Sequence, residues 1–365
     1  MRLIQLRLHD FRSYKQLSLT PPEGITVFVG ENGAGKTNLL EAVHLCCLGR
    51  SHRTNADRDM IRTGCDTCAV HARVEKKTGS AEVGVRLYTQ QKNKKLIYVN
   101  GKTAPRIGEL MGHMVCVMFS PEDLDIVKGP PAYRRRFIDM LLSQCQSAYF
   151  YSLQRYNTVL KQRNALLKTL VKSGGDHSQL SVWDEQLAAA AVPVIRARRQ
   201  AAERLGTLAG GHYAWISDRE KETLQVAYRS ALPGAPDTAE SIIDALRIAR
   251  EDDLRRQATS VGPHRDDLDI TMSGSDMRAF ASQGQIRTAV LSMRLAEIDI
   301  LTAAHNDAPL LLLDDVLSEL DAQRRARLLM RLRGVQTLLT STDESEVGGL
   351  HPSCILKVKD GMITM

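Results

Sequence analysis

The segment that most constrains this chain is Gly30-Glu31-Asn32-Gly33-Ala34-Gly35-Lys36-Thr37, a complete G-x-x-x-x-G-K-[ST] loop. Immediately before it, Ile25-Thr26-Val27-Phe28-Val29 is a short run of β-branched and aromatic residues, the pattern of a buried strand stopping at Gly30. A helix is expected to follow from Lys36 to about Leu48. Strand, glycine loop and helix in that order make a cradle for phosphate. Glycines let backbone N–H groups curl around the anion, and the start of the helix adds positive potential. On this reading Gly30, Glu31, Asn32, Gly33, Ala34, Gly35, Lys36 and Thr37 bind ATP. Lys36 reaches the β and γ oxygens as a catalytic cation, and Thr37 ligates Mg²⁺. Such a loop belongs in an α/β fold.

A second part of that fold is expected near the other end of the chain. Leu310 to Leu313 is too short for a free helix and ends in Asp314 and Asp315, as a buried parallel strand with functional residues at its tip would. Asp314 is then a second Mg²⁺ ligand, and Asp315 the group that orients the attacking water. Gln336 to Thr340 is a further candidate strand. Between the loop and these carboxylates, Val70, Ala72 and Val74, then Val83, Val85 and Leu87, alternate with the two-residue period of half-buried strands. Leu96 to Val99 runs into Asn100-Gly101, a hairpin signal, and Met114 to Phe119 is stopped by Ser120-Pro121. An antiparallel sheet beside the phosphate loop is the simplest assembly of these strands. The nucleotide-binding lobe is therefore expected to be discontinuous, residues 1–130 plus 305–365, around a helical lobe at 131–304.

Within that insertion Tyr149, Leu153, Tyr156, Leu160, Leu167 and Leu170 follow steps of four and three, the seam of a short coiled coil broken only by Arg163. Ser173-Gly174-Gly175-Asp176 ends the helix. Trp183, Leu187, Ala190, Val194, Ala197 and Ala201 then repeat the pattern, so the return helix can pack antiparallel, with a kink expected at Pro193. At about 1.5 Å per residue this hairpin arm is roughly 40–50 Å long. A Pro/Gly-rich loop is expected from Ala231 to Asp237. Between Pro131 and Gln200 there are 11 basic and four acidic residues, so this segment alone carries 11 − 4 = +7, equal to the formal charge of the whole chain. The excess suggests a polyanionic partner, although a charge run of this kind also forms an ordinary solvated face.

Other classes are disfavoured. At 365 residues the chain is too short for a head with hundreds of residues of coiled coil, and 43% apolar with 25% charged residues is the composition of a folded protein. Leu187 to Ile195, the longest nearly apolar stretch, is far short of the roughly 20 residues of a membrane span, so no membrane partner is expected. The N-terminus mixes charges among its apolar residues, unlike a signal peptide. Seven scattered cysteines suit reduced thiols, and the cytoplasm is the expected compartment. Cys65-Asp66-Thr67-Cys68 has metal-ligand spacing, but even with His71 it makes only three ligands, which argues against zinc.

Ser282-Gln283-Gly284-Gln285, followed by an apolar helical pattern from Ile286 to Ile300, looks like a variant ABC signature, and Ser318-Glu319-Leu320-Asp321 resembles the D-loop. In ABC ATPases the signature closes on the γ-phosphate held by a second subunit. Ser282, Gly284 and Gln285 are thus candidate ATP contacts in a homodimer. With Arg12-Ser13-Tyr14, Gly129-Pro130-Pro131-Ala132-Tyr133-Arg134-Arg135-Arg136-Phe137 and Gly262-Pro263-His264-Arg265-Asp266-Asp267-Leu268, the chain resembles the RecF family of SMC-like ABC ATPases over nearly its whole length. The resemblance implies an ABC-type ATPase head, with mixed sheets around the phosphate loop and a helical second lobe carrying a short antiparallel coiled-coil arm. It also implies an ATP-driven homodimer on duplex DNA and at gapped or single-strand junctions. Weak, DNA-stimulated hydrolysis and joint action with RecO and RecR to load RecA at gaps complete the implied activity.

Three details depart from the usual ABC pattern. Asp315 stands where glutamate is usual, one methylene shorter, which predicts slow hydrolysis. The histidine that commonly follows the next strand is replaced by Thr340-Ser341-Thr342-Asp343, with Thr342 or Asp343 as possible substitutes. Ser120 to Glu122 is a positional candidate for the glutamine loop. His264 is open either to contact with nucleotide or DNA or to a structural hydrogen bond. A transporter nucleotide-binding subunit and a phosphate-loop kinase are the alternative classes. The missing histidine and the RecF-like segments argue against the first, and the lack of an acceptor pocket against the second.

Overall fold

The computed structural model describes residues 1–90, 94–174, 176–217, 222–232, 234, 238–344 and 350–364. The chain divides into two compact units, Met1–Leu124 with Trp215–Asp218 and Arg287–Met365, and Asp125–Ala214 with Arg219–Ile286.

The first unit opens with β1 (Arg2–Phe11), β2 (Tyr14–Leu19), β3 (Ile25–Val29), α1 (Lys36–Leu48), β4 (Thr67–Lys76), β5 (Gly79–Tyr88), β6 (Lys95–Val99), β7 (Lys102–Ala104) and β8 (Cys116–Phe119). β3 and α1 have the limits expected from sequence. β2-β1-β4-β5-β6-β7 form one antiparallel sheet. The alternating residues of β4 and β5 meet in register, Val70 opposite Val85 and Ala72 opposite Val83, and all four are buried. Asn100 and Gly101 turn the last hairpin with φ of 50° and 76°, the left-handed values that asparagine and glycine tolerate.

Beyond Leu124 the chain forms α2 (Asp125–Lys128), α3 (Pro131–Cys145), α4 (Ser147–Ser173), α5 (Gln179–Ser217), β9 (Leu224–Arg229), α6 (Ala239–Ile248), α7 (Arg250–Arg256), β10 (Asp267–Met272), β11 (Ser275–Asp276), α8 (Met277–Phe280) and α9 (Gln283–His305). α4 and α5 make the antiparallel hairpin: Tyr149 meets Arg198, Arg163 meets Asp184, and Leu167 and Leu170 cluster with Leu180. Burying each of those leucines stabilises the arm by roughly 1.5–3 kcal/mol at most. Gly174 ends α4 in the left-handed conformation. Arg163, the break in the seam, is fully buried and paired with Asp184 at 2.8 Å and Asp253 at 2.7 Å. α5 runs on through Pro193 to Ser217 and so exceeds the expected return helix.

The expected helical lobe also holds a small sheet, β11-β10-β9, three-stranded and antiparallel. β9 is missed in the sequence because Leu224, Val226 and Tyr228 alternate over only five residues, and β10 because Asp266 and Asp267 mask its apolar start. Residues 233 and 235–237 of the expected loop lie outside the described residues. The change of lobe expected at 304–305 comes instead at Arg287, inside α9. Ala289, Met293, Leu295, Ala296 and Leu301 of that helix are buried in the first unit's core, so its apolar face decides the boundary.

The chain closes with β12 (Leu310–Asp314), α10 (Ala322–Leu332), β13 (Thr337–Ser341), β14 (Cys354–Lys359) and β15 (Met362–Thr364). β15-β14-β3-β13-β12-β8 form the second sheet of the first unit, parallel from β14 to β8. α1 touches strands of both large sheets and is buried continuously from Leu39 to Leu48, Glu41 and His44 included. Among the described residues no helix is long and apolar enough to cross a membrane.

Candidate nucleotide site

The phosphate loop leaves β3 at the carboxyl end of the parallel strands, where ligands collect in open α/β sheets. Gly35 caps α1 with φ 110°, a value that L side chains rarely adopt. A Cβ on Gly30 would lie 2.2 Å from the carbonyl oxygen of Val358, so backbone packs directly on backbone there. The first turn of α1 has neither a capping side chain nor an acidic residue, which leaves its positive end uncompensated. Lys36 is 4% exposed and folds back on the loop, its Nζ donating to the carbonyls of Gly30 at 2.6 Å and Glu31 at 3.1 Å.

Arg12-Ser13-Tyr14 supports this loop, a role with no local signal in the sequence. The Tyr14 hydroxyl donates to Gly35 O at 3.0 Å, and Asn38 Nδ2 donates to Ser13 Oγ at 3.0 Å. Arg12 grips Glu41 of α1 with two bonds, of 2.8 and 2.7 Å. Burial opposes the Glu41 charge, but the bonds from Arg12 and Ser51 and the Arg12 cation hold its carboxyl below the usual range.

Sheet order brings Thr37, Asp314 and Thr340 together. β13 lies between β3 and β12, with Thr340 opposite Phe28 on one side and Asp314 on the other. The hydroxyls of Thr37 and Thr340 both donate to Asp314 Oδ1 at 2.8 Å, and Asp315 N donates to Thr340 Oγ1 at 3.0 Å. Burial pushes the Asp314 carboxyl up, the two threonine bonds oppose this, and the negative charges of Asp315 and Glu122 raise it further. A buried carboxylate facing two others, with only neutral donors, is a site chemically suited to a hard cation. Among the described residues no cage of three or more His, Cys, Asp or Glu exists. Mg²⁺ is usually held by one or two side chains, waters and substrate phosphates. Asp315 has φ 49°, a left-handed value uncommon outside glycine, and its carbonyl accepts from Ser318 Oγ at 2.8 Å. Thr340 therefore makes the contact with the carboxylate, while Thr342 and Asp343 are exposed.

The expected signature residues lie in the second unit, at the start of α9. Ser282 N donates to Gln285 Oε1 at 2.8 Å and Gln285 N donates to Ser282 Oγ at 3.3 Å, a reciprocal capping box. Gly284 sits in the turn between them, and Gln285 Nε2 also donates to Glu222 at 3.1 Å. In the D-loop segment Asp321 caps α10 by accepting from Arg324 N at 2.9 Å.

The two long family-like segments of the second unit bind each other. Arg134 clamps Asp267 at 2.7 and 2.9 Å and donates to Gly129 O at 3.0 Å, and Arg135 donates to Asp266 O at 2.8 Å. Arg198 clamps Asp139 and donates to Pro263 O at 2.6 Å. His264 Nε2 donates to Thr259 O at 2.9 Å, so its Nδ1 accepts from the Tyr156 hydroxyl at 2.6 Å. Burial pushes His264 down to about 4, and the ring is a neutral structural link.

The family model described as "RecF/RecN/SMC N terminal domain" matches residues 2–351. The chain is 41% identical over 350 residues to "DNA replication and repair protein RecF" of Symbiobacterium thermophilum, covering 94% of this chain and 92% of that one. With the protein of the same description from Shouchella clausii the identity is 41% over 367 residues, covering 98% of each. The chain belongs to the RecF family. A solved structure of "the recombination mediator protein RecF-ATPrS in RecFOR pathway" superimposes on this RecF-family chain with a TM-score of 0.92 at 33% identity, covering 99% of this chain and 97% of that one. The RecF-ATP structure from the same pathway gives the same TM-score and identity, covering 99% and 96%. An Smc head bound to the C-winged helix domain of ScpA matches with a TM-score of 0.57 at 16% identity, covering 100% of this chain and 96% of that one, a likeness of fold. The architecture is that of an SMC-like ABC ATPase head.

Proposed function

We propose that this chain is an ATP-dependent DNA-binding protein of replication and recombinational repair, cycling as a homodimer that ATP closes on DNA. The observation that carries the reading is the convergence of Thr37 and Thr340 on Asp314 beside the phosphate loop, 2.8 Å in each case. The DNA replication and repair names of the relatives support the cellular role.

In this mechanism the N–H groups of Gly30 to Thr37 hold the phosphates, and Lys36 exchanges the carbonyls of Gly30 and Glu31 for the β and γ oxygens. Thr37 and Asp314 would hold Mg²⁺, which would neutralise phosphate charge. Asp315 orients the attacking water, its backbone held by Thr340. Its side chain, one methylene shorter than glutamate, sets the water back, so hydrolysis is slow and acts as a switch that DNA stimulates weakly. Ser282, Gly284 and Gln285, ordered by their capping box, present the start of α9 to the ATP of a second copy. Two ATP molecules thus close one dimer. On gapped DNA that dimer acts with RecO and RecR to promote RecA loading. The nucleotide-binding lobe is the discontinuous first unit, and the helical lobe with its arm the second.

Sedimentation of the protein with a labelled gapped duplex tests this in ATP and, in parallel, in ADP. A dimer on DNA in ATP alone is expected. A monomer in both, or DNA binding indifferent to nucleotide, overturns the switch.

A further inference from the structure

The outward face of the antiparallel sheet in the first unit carries a depression of about 560 Å³ that the nucleotide chemistry does not use. Its shape follows from register. One row across the sheet reads Arg7, His71, Gly84 and Tyr98 on β1, β4, β5 and β6, and the next reads His9, Ala69, Arg86 and Leu96. Ala69 gives a low floor, while Arg7, His9, His71 and Arg86 line it. The His71 ring lies over Gly84, where a Cβ would meet its Nδ1 at 2.5 Å.

Two of the charges on this face have no ion-pair partner among the described residues. Arg7 and Arg86 are exposed and make no ion pair among the described residues, and none of the residues lining the depression is acidic. Burial depresses the His71 pKa, Glu82 opposes it, and the charges of Arg86 and Arg7 add to the depression. His9 is the member with a carboxylate partner, Asp10 at 3.0 Å. Two strand spacings of about 4.8 Å and one two-residue step of about 6.8 Å separate Arg7 from Arg86. Rigid strands thus hold two unpaired guanidiniums apart across a shallow trough floored by Ala69. Such a trough complements a polyanion that lies along a surface, and guanidinium is suited to phosphate oxygens.

We propose that this face is a phosphodiester contact for duplex DNA, with Arg7 and Arg86 each neutralising one backbone phosphate and Ala69 leaving room for the strand. The proposal rests on the DNA-binding reading and adds the residues that contact the backbone. Neither arginine belongs to the nucleotide site, so ATP binding is expected to be unchanged in R7A/R86A. Binding of a labelled random-sequence duplex, measured in ATP as salt is raised, should lose about two from the magnitude of the log–log salt slope. Affinity should fall roughly tenfold or more at 0.1 M salt. R7E/R86E should bind still more weakly, and R7K/R86K, which keeps the charges, should restore most of the slope.

An unchanged slope and affinity in R7A/R86A, with wild-type DNA binding intact, overturns the contact and leaves the DNA-binding reading standing. A wild type that binds no duplex in ATP overturns both. If R7A/R86A loses binding to polyglutamate but not to DNA, the face is for an acidic protein and the proposal fails. If R7K/R86K fails to restore the slope while ATP binding is normal, the phosphate contact is likewise overturned.

Discussion

Asp314 in the first unit and Arg163 in the second are both buried charges, at 8% and 0% exposure, yet their surroundings are opposite. Arg163 meets two carboxylates, Asp184 and Asp253, and the Thr259 hydroxyl. Asp314 meets two neutral hydroxyls and feels two further carboxylates, Asp315 and Glu122. Opposite charges in a dry interior complete a structural network, whereas like charges there are costly until a cation arrives. The comparison separates a scaffold from a site without reference to any motif.

The largest expected effect lies on the scaffold side. Arg163→Ala leaves Asp184 and Asp253 buried without their shared cation, and should cost about 3–5 kcal/mol in urea unfolding. A loss below 1 kcal/mol would mean that the arm does not depend on this network. Next comes Lys36→Ala, which should weaken ATP binding about a hundredfold, or about 2.7 kcal/mol, while leaving the unfolding midpoint nearly unchanged. Calorimetric titration with ATP checks this, and retained tight binding removes the nucleotide assignment.

His264 sharpens the comparison through pH. Its folded value, about 4, lies below the ordinary 6.5, so the unfolded chain takes up the proton first as pH falls. The stability that neutral His264 contributes is complete above about 6.5 and lost progressively toward 4. Against a variant with asparagine at that position, the wild type should lose ~1–3 kcal/mol more across this window. Parallel pH profiles would count against the buried neutral ring.

The smallest effect is the most diagnostic. Burial, with Asp315 and Glu122, raises the Asp314 carboxyl, so the folded state binds its proton more readily than the unfolded chain and stability falls as pH rises past the ordinary range. Asp314→Asn removes that penalty. At neutral pH without Mg²⁺ it should raise the melting temperature slightly while abolishing Mg²⁺-dependent tightening of ATP binding. A lowered melting temperature would place Asp314 with the scaffold.

Much of the first unit was legible because its signals are local. β3 and α1 begin and end where the apolar run, the glycines and the lysine indicate, and β12 and β13 fall within a residue of expectation. In the second unit Gly262 to Leu268 carried no decipherable physics in sequence, because its partners Arg134, Arg198, Tyr156 and Tyr228 lie 38 to 133 residues away along the chain. Thr340 was overlooked for the same reason. Nothing beside it in the chain marks it, and only its position between β3 and β12 brings its hydroxyl to Asp314.

By itself the sequence determined the phosphate loop, the strand that feeds it, the helix that leaves it and the hairpin arm. Each is governed by glycine sterics, helix capping or an apolar period that acts over a few residues. Only the tertiary structure decided that Thr37 and Asp314, 277 residues apart, share a hydrogen bond. It also decided that Arg134 and Asp267 lock two distant segments and that Arg7 and Arg86 share one bare face. Those outcomes depend on which strands are neighbours and in what register, and strand order is set by burial of the whole core rather than by any local stretch of chain.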